Sequence, residues 1–235
     1  MITALHMYGE GLLATARTGG AARVRLREGS VLPLALERYL GPADEIDERL
    51  LEGLAGPVLD VGCGPGRHLH ALAARGVFAL GVDLSPVAVA LAVGRGGRAI
   101  VGDIFDDLPG GGTWRSALLL DGNIGIGGCP VRLLTRLGSL LHADGVLLVE
   151  LEPPGIRTGA TQARIERDGA VSSWFAWARV AACDLTPIAD ASGFAIAAVW
   201  SMAGRWFARC TQIDRPADRP PGEGPPPQTG AYSVL

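Results

Sequence analysis

The stretch PVLDVGCGPG, Pro57 to Gly66, decides how this chain is read. Val58, Leu59 and Val61 form a short apolar run, with Gly56-Pro57 before it and a glycine-rich turn after it. A run that short between such breakers reads as a buried strand. Gly62, Gly64 and Gly66 alternate through the turn. Arg67 to Arg75 (RHLHALAAR) then carries helical spacing, with Leu69, Leu72 and Ala73 on one face. Strand, glycine turn and helix together make the nucleotide-site geometry of a doubly wound α/β protein. The glycines let backbone approach a ligand, and the helix start offers free N–H groups to an anion.

Glycine spacing separates two readings. A dinucleotide fingerprint needs G-x-G-x-x-G, and counting from Gly62 its third glycine falls on Arg67. The chain instead reads Asp60-x-Gly62-x-Gly64-x-Gly66. This resembles motif I of the class I S-adenosylmethionine (SAM)-dependent methyltransferases, in particular small actinobacterial-type enzymes acting on small molecules. The resemblance implies an α/β fold: a Rossmann-like doubly wound sheet of seven strands, a terminal antiparallel hairpin and helices on both faces. It implies SAM as cofactor and S-adenosylhomocysteine (SAH) as product. Asp60, Gly62, Cys63, Gly64 and Gly66 stand where the family's first cofactor motif stands.

The following motifs extend the likeness. Gly76 to Asp83 reads as the second strand, and Asp83 ends it about 20 residues past the glycine turn, where an acid accepts from ribose hydroxyls. Its alternative reading is a helix cap before Ser85-Pro86. Ala99 to Val101 is a short third strand followed by Gly102-Asp103-Ile104. The family pattern places an acid here on the adenine amino group, which falls on Asp103, with Leu84 and Ile104 flanking the ring. A Gly-Asp pair is also an ordinary turn. Ser116 to Leu120 is the fourth strand and ends in Asp121-Gly122-Asn123. By the resemblance these three lie near the transferring methyl and hold the methionine portion; the alternative is a glycine loop capping the helix of Pro130 to Leu141.

Composition sets the outer limits. The 235 residues are 48% hydrophobic and 19% charged, enough for one α/β domain with a sizeable core. No apolar run reaches the roughly 20 residues of a membrane helix. The first residues lack the basic and long apolar regions of a signal peptide. A net charge of -3 argues against a nucleic-acid surface. Every basic residue is arginine, which rules out Schiff-base, pyridoxal and Walker A lysines within this sequence. Cys63, Cys129, Cys183 and Cys210 are too dispersed for a C-x-x-C zinc site and demand no disulfide, so no metal is expected and a reducing cytoplasm fits.

Three regions are expected: an N-terminal cap over the cofactor (1–56), the SAM-binding domain (57–212) and a disordered Pro/Gly-rich tail (213–235). In the cap, Ile2 to Ala16 reads as a helix weakened by Gly9 and Gly11. Arg23 to Arg27 and Val31 to Leu36 read as a hairpin, and Pro42 to Leu54 as a helix. Arg38 and Tyr39 are candidate lid contacts. After the turn at His142 to Gly145, Val146 to Leu151 is strand five, carrying Glu150. Asp168-Gly169 marks a hairpin turn. Beyond it Trp174, Trp177 and Arg179 are candidates, with Glu150, for the substrate side; plain packing and surface roles compete for each. Asp184 to Ser192 is the last helix, and Phe194 to Met202 with Arg205 to Gln212 the closing hairpin.

Methyl transfer from a sulfonium needs alignment and exclusion of water, and a base only for a protonated nucleophile. No catalytic residue is therefore assigned, and His68 on the first helix reads as packing or as a contact at the methionine end. The expected partner is a small-molecule substrate, without nucleic acid or membrane, in a homodimer. The alternatives are a non-catalytic SAM-binding subunit of the same fold and a dinucleotide oxidoreductase. Arg67 and the closing hairpin count against the latter.

Overall fold

The computed structural model describes residues 2–213. Beyond Ile213, the expected tail lies outside the described residues. In chain order the elements are α1 (Ala4–Thr18), β1 (Ala22–Leu26), β2 (Val31–Leu34), α2 (Leu36–Leu40), α3 (Glu45–Leu51), β3 (Val58–Val61), α4 (Arg67–Ala74), β4 (Ala79–Asp83), α5 (Pro86–Gly94) and β5 (Ala99–Val101). There follow β6 (Trp114–Leu119), α6 (Pro130–Leu140), β7 (Leu141–Leu151), β8 (Gly159–Arg167), β9 (Ala170–Val171), β10 (Phe175–Arg179), α7 (Leu185–Ala191), β11 (Phe194–Met202) and β12 (Arg205–Gln212). A short 3-10 segment, Asn123–Gly128, leads into α6.

Seven strands form one sheet in the order β11-β12-β7-β6-β3-β4-β5. The five strands from β7 to β5 run parallel, while β12 pairs antiparallel with β7 and β11 antiparallel with β12. The central strands are apolar because both faces are covered. On one face α6 buries Leu133, Leu134, Leu137 and Leu140 beside Leu185 and Phe194. On the other, Leu50 and Leu51 of α3 and Leu69 and Leu72 of α4 pack with Phe207. Each such fully buried leucine contributes about 1.5–3 kcal/mol of transfer free energy.

Helix starts follow their caps. The Ser85 hydroxyl accepts the Ala88 N–H and Pro86 opens α5. Asp44 and Asp47 form a reciprocal capping box on α3. That box corrects the expected helix at 42–54: Pro42 lies ahead of the cap. The expected strand through Leu36 stops at Leu34, because Leu36 begins α2. The expected turn at His142 to Gly145 is instead a bulge inside β7, whose register against β6 jumps between Leu141 and Val146.

The hairpin β1–β2 does not stand alone. β1 pairs with β8, and β8 with β9 and β10, giving a second antiparallel sheet in the order β10-β8-β1-β2. Asp168 and Gly169 both take positive φ (50° and 78°), as a tight hairpin turn requires. This sheet meets the main body where β10 crosses the Asn123–Gly128 segment. A Cβ on Gly125 would lie 2.3 Å from the Ala178 carbonyl oxygen and 2.6 Å from the Trp177 ring, so only glycine permits that contact.

Candidate active site

The site lies at the carboxyl ends of the parallel strands, where open α/β sheets bind ligands. Gly62, Gly64 and Gly66 all adopt left-handed φ (69°, 53° and 83°). Space is equally restrictive: a Cβ on Gly62 would sit 2.6 Å from Asn123 Nδ2, and one on Gly66 2.8 Å from Ala92 Cβ. The turn is pinned from the next strand. Asp83 Oδ2 accepts the Gly64 N–H at 2.9 Å and Oδ1 accepts the Ser85 N–H at 2.8 Å. The cap of α5 itself is Ser85, so Asp83 ties the glycine turn to the residue that opens that helix. Burial raises the Asp83 pKa, partly opposed by those two N–H donors.

Leu84, next along, is 51% exposed, unusual for a large apolar side chain beside a cleft. Asp103 Oδ1 accepts the Phe105 N–H at 3.0 Å. Ile104 is buried in the core, and its carbonyl accepts from Arg136. Cys63 is buried with its Sγ against Gly81, and burial pushes its thiol pKa well up. Asp60 is buried beneath the turn, facing His68. From α1, the Tyr8 hydroxyl reaches over the turn, 3.1 Å from where a Gly64 Cβ would be. Burial first, then Asp83, raises its phenol pKa.

Beside the turn lies a charge cluster drawn from six parts of the chain. Asp47 of α3 is fully buried and accepts from Arg67 (2.8 Å), Arg38 (2.9 Å) and Arg205 (3.1 Å). Asp121 accepts from Arg38 (2.6 Å) and Arg67 (2.9 Å). Glu150 holds Arg205 by both oxygens and also accepts the Asp121 N–H at 2.7 Å. His68 sits between Asp47 and Asp60 at 3.7 and 3.6 Å, ion-pair rather than hydrogen-bond distances. Burial disfavours its charge, but the two carboxylates outweigh that and push its pKa up to about 9. Burial also works against the Asp121 carboxylate; Arg67, His68 and Arg38 more than offset it and lower its pKa.

Asp121 itself has φ 57° and Gly122 φ 79°, a left-handed pair in which Asp121 stores backbone strain. The arginine pairs hold it there. Asn123 locks the segment to the turn, its Nδ2 donating to the Val61 and Gly62 carbonyls at 2.8 and 3.0 Å. Sequence reading singled out Arg38, Tyr39, His68, Asp121 and Glu150 and missed Asp47, Arg67 and Arg205. A usable signal existed: Asp47 shares the apolar face of α3 with Leu50 and Leu51, where an acid needs a buried partner.

A cavity of about 190 Å³ opens past Asp121, at the ends of β6 and β7. Asp121, Glu150, Glu152, Trp177 and Arg179 line it. Arg179 Nε donates to Glu152 Oε1 at 2.8 Å, and that pairing raises the Arg179 pKa. Trp174 is elsewhere: its ring makes cation–π contacts with the guanidinium groups of Arg27 (5.1 Å) and Arg164 (4.9 Å), beside the small sheet. Three expected substrate-side residues therefore meet at one cavity and the fourth does not.

Residues 58–113 match the methyltransferase domain family. No curated protein sequence matches the chain. Among solved structures, the chain resembles a SAM-dependent methyltransferase from Bacteroides fragilis in complex with SAH (TM-score 0.73, 22% identity, 88% of this chain and 94% of that one). It also resembles a SAM-bound amino pentose methyltransferase from Micromonospora echinaspora (0.55, 20%, 76% and 95%). A third is a Burkholderia thailandensis 1,6-didemethyltoxoflavin-N1-methyltransferase (0.54, 18%, 72% and 78%). Among the described residues no helix is long and apolar enough to cross a membrane. The chain thus has the fold of the SAM-dependent methyltransferases it resembles, and residues 58–113 are similar to the methyltransferase domain family.

Proposed function

We propose that this protein transfers the methyl group of SAM to an oxygen or nitrogen atom of a small molecule, releasing SAH. The observation that carries the reading is the left-handed glycine turn at the carboxyl end of β3, in a seven-stranded sheet closed by antiparallel β12. The turn fits a nucleoside held close to backbone, since side chains at Gly62 or Gly66 would collide with Asn123 or Ala92. Asp83 would take the ribose hydroxyls, Asp103 the adenine amino group and Leu84 one face of the base. The segment Asp121–Asn123 would border the methionine portion. When bound, SAM supplies an activated methyl whose leaving group is a sulfonium.

The chain's own task is alignment and exclusion of water. α1 and α2 bring Tyr8, Arg38 and Tyr39 over the site, which supports a covering role for the segment up to residue 56. Tyr39 lies under Arg67, 5.8 Å from its guanidinium, which ties the cover to α4. All four cysteines are free, in keeping with a cytoplasmic enzyme; a homodimer remains the proposed assembly. Calorimetry with SAM and SAH tests the reading: both bind wild type, and Asp83→Ala weakens both at least tenfold. Absence of binding by either ends it.

A further inference from the structure

Within that methyltransferase reading, we propose that the acceptor is a small carboxylic acid, held by Arg179 against Trp177 and methylated on its carboxylate oxygen to give an ester. Two observations meet here. First, the carboxylates beside Asp121 have their cations already. Asp121 is taken by Arg38 and Arg67, and Glu150 by both oxygens on Arg205. His68, the histidine of the charge cluster, is buried between Asp47 and Asp60. Of the three carboxylates lining the cavity, only Glu152 keeps an oxygen outside these pairs, its other one held by Arg179, and an acceptor that arrives as an anion needs no base at all. Second, Arg179 lines the cavity with its side chain only 13% exposed and spends only Nε on Glu152. Among the described residues neither Nη group donates to the protein. A guanidinium edge with two such donors is shaped for a carboxylate.

The chemistry balances without a base. A carboxylate oxygen forms the new O–CH3 bond as the S–CH3 bond breaks. The bonding pair stays on sulfur, which becomes the neutral thioether of SAH, and no proton is released. Arg179 keeps its charge throughout, facing Glu152 from the end of β7 and, more distantly, Glu28 from the β1–β2 turn. Trp177 is fixed by Gly125 and offers a flat apolar wall. At about 190 Å³ the cavity is below the roughly 300–1,000 Å³ of drug-sized sites, which favours a small, flat acid.

The test uses the full chain loaded with SAH, titrated by calorimetry with benzoate, benzamide and benzylamine. Benzoate should bind at least tenfold more tightly than the other two, and Arg179→Met should erase that preference while SAH affinity stays unchanged. Equal or tighter binding of the amide or the amine, no binding of any of the three, or a preference that survives Arg179→Met overturns the carboxylate assignment. If wild type fails to bind SAH, the methyltransferase reading itself falls and takes this one with it. Turnover offers an independent check. Ester formation should be flat from about pH 6 to 9, where carboxylic acids stay ionised. A rise of about tenfold per pH unit over part of that range, the mark of an amine or phenol losing its proton, overturns the assignment.

Discussion

The glycine turn and the charge cluster beside it touch, yet they are built in opposite ways. The turn is contiguous: β3, three left-handed glycines and α4 follow in one run, with Asp83 tied back to Gly64 from the neighbouring strand. The cluster is assembled from Arg38, Asp47, Arg67, Asp121, Glu150 and Arg205, residues on five secondary-structure elements and one loop. The first is held by backbone conformation and tolerates little change of shape. The second is held by paired charges away from water and tolerates little change of charge. Substitution should separate the two.

Removing the hub of the cluster should cost most. Asp47→Ala leaves Arg38, Arg67, Arg205 and His68 facing each other without their shared carboxylate. Breaking a buried pair from one side typically costs about 3–5 kcal/mol. For a chain of this size that lowers the melting temperature by roughly 10 °C. Differential scanning calorimetry reads it directly; a change within 2 °C, roughly half a kcal/mol, would mean the cluster adds little to stability.

Acidity probes the same cluster more gently. The folded pKa of His68, about 9, lies above its ordinary 6.5. The folded state therefore binds the proton more tightly, so this contribution is complete below about pH 6.5 and is lost as pH rises through 9. A shift of that size corresponds to roughly 3 kcal/mol at most. Urea melts at about pH 6, 7.5 and 9.5 should show wild type weakening across the window, and His68→Gln should flatten the trend. Parallel profiles for the two proteins would place the histidine outside the cluster's energetics.

At the turn, shape replaces charge. Gly66→Ala forces a left-handed residue and a 2.8 Å approach to Ala92 Cβ, for about 2 kcal/mol in all. Its larger signature is SAM binding, which should drop at least tenfold because the backbone that would face the cofactor must shift. Intact affinity would show that the turn does not approach the ligand.

These two constructions explain what could be read in advance. Strand and turn announce themselves locally, through an apolar run, alternating glycines and an acid at strand end. Packing partners do not. Gly9 and Gly11 read only as weak points in a helix; in the fold they let α1 approach Val87 and Leu36, each within 3.0 Å of where a Cβ would stand. Arg67 read as the residue that breaks a dinucleotide fingerprint, and its role as the bridge between Asp47 and Asp121 depends on segments 20 and 54 residues away. Pairing of β1 with β8, across more than a hundred residues, carries no signature in either strand, since alternating arginines serve a solvated face equally well.

The smallest effect is the sharpest for the acceptor side, because two tryptophans three residues apart have different surroundings, Trp177 lining the cavity and Trp174 not. Trp174 meets Arg27 and Arg164, half-buried and outside the cavity lining, and such partly exposed cation–π contacts contribute about 0.5–1 kcal/mol each. Trp174→Ala should therefore cost about 1 kcal/mol of stability and leave SAM and acceptor binding unchanged. Trp177 lines the cavity and presses on Gly125, so Trp177→Ala should weaken acceptor binding at least tenfold while SAM affinity holds. Paired calorimetry on the two variants decides it. If Trp174→Ala is the one that loses acceptor, the substrate lies beside Arg27 and Arg164 and the cavity past Asp121 serves something else.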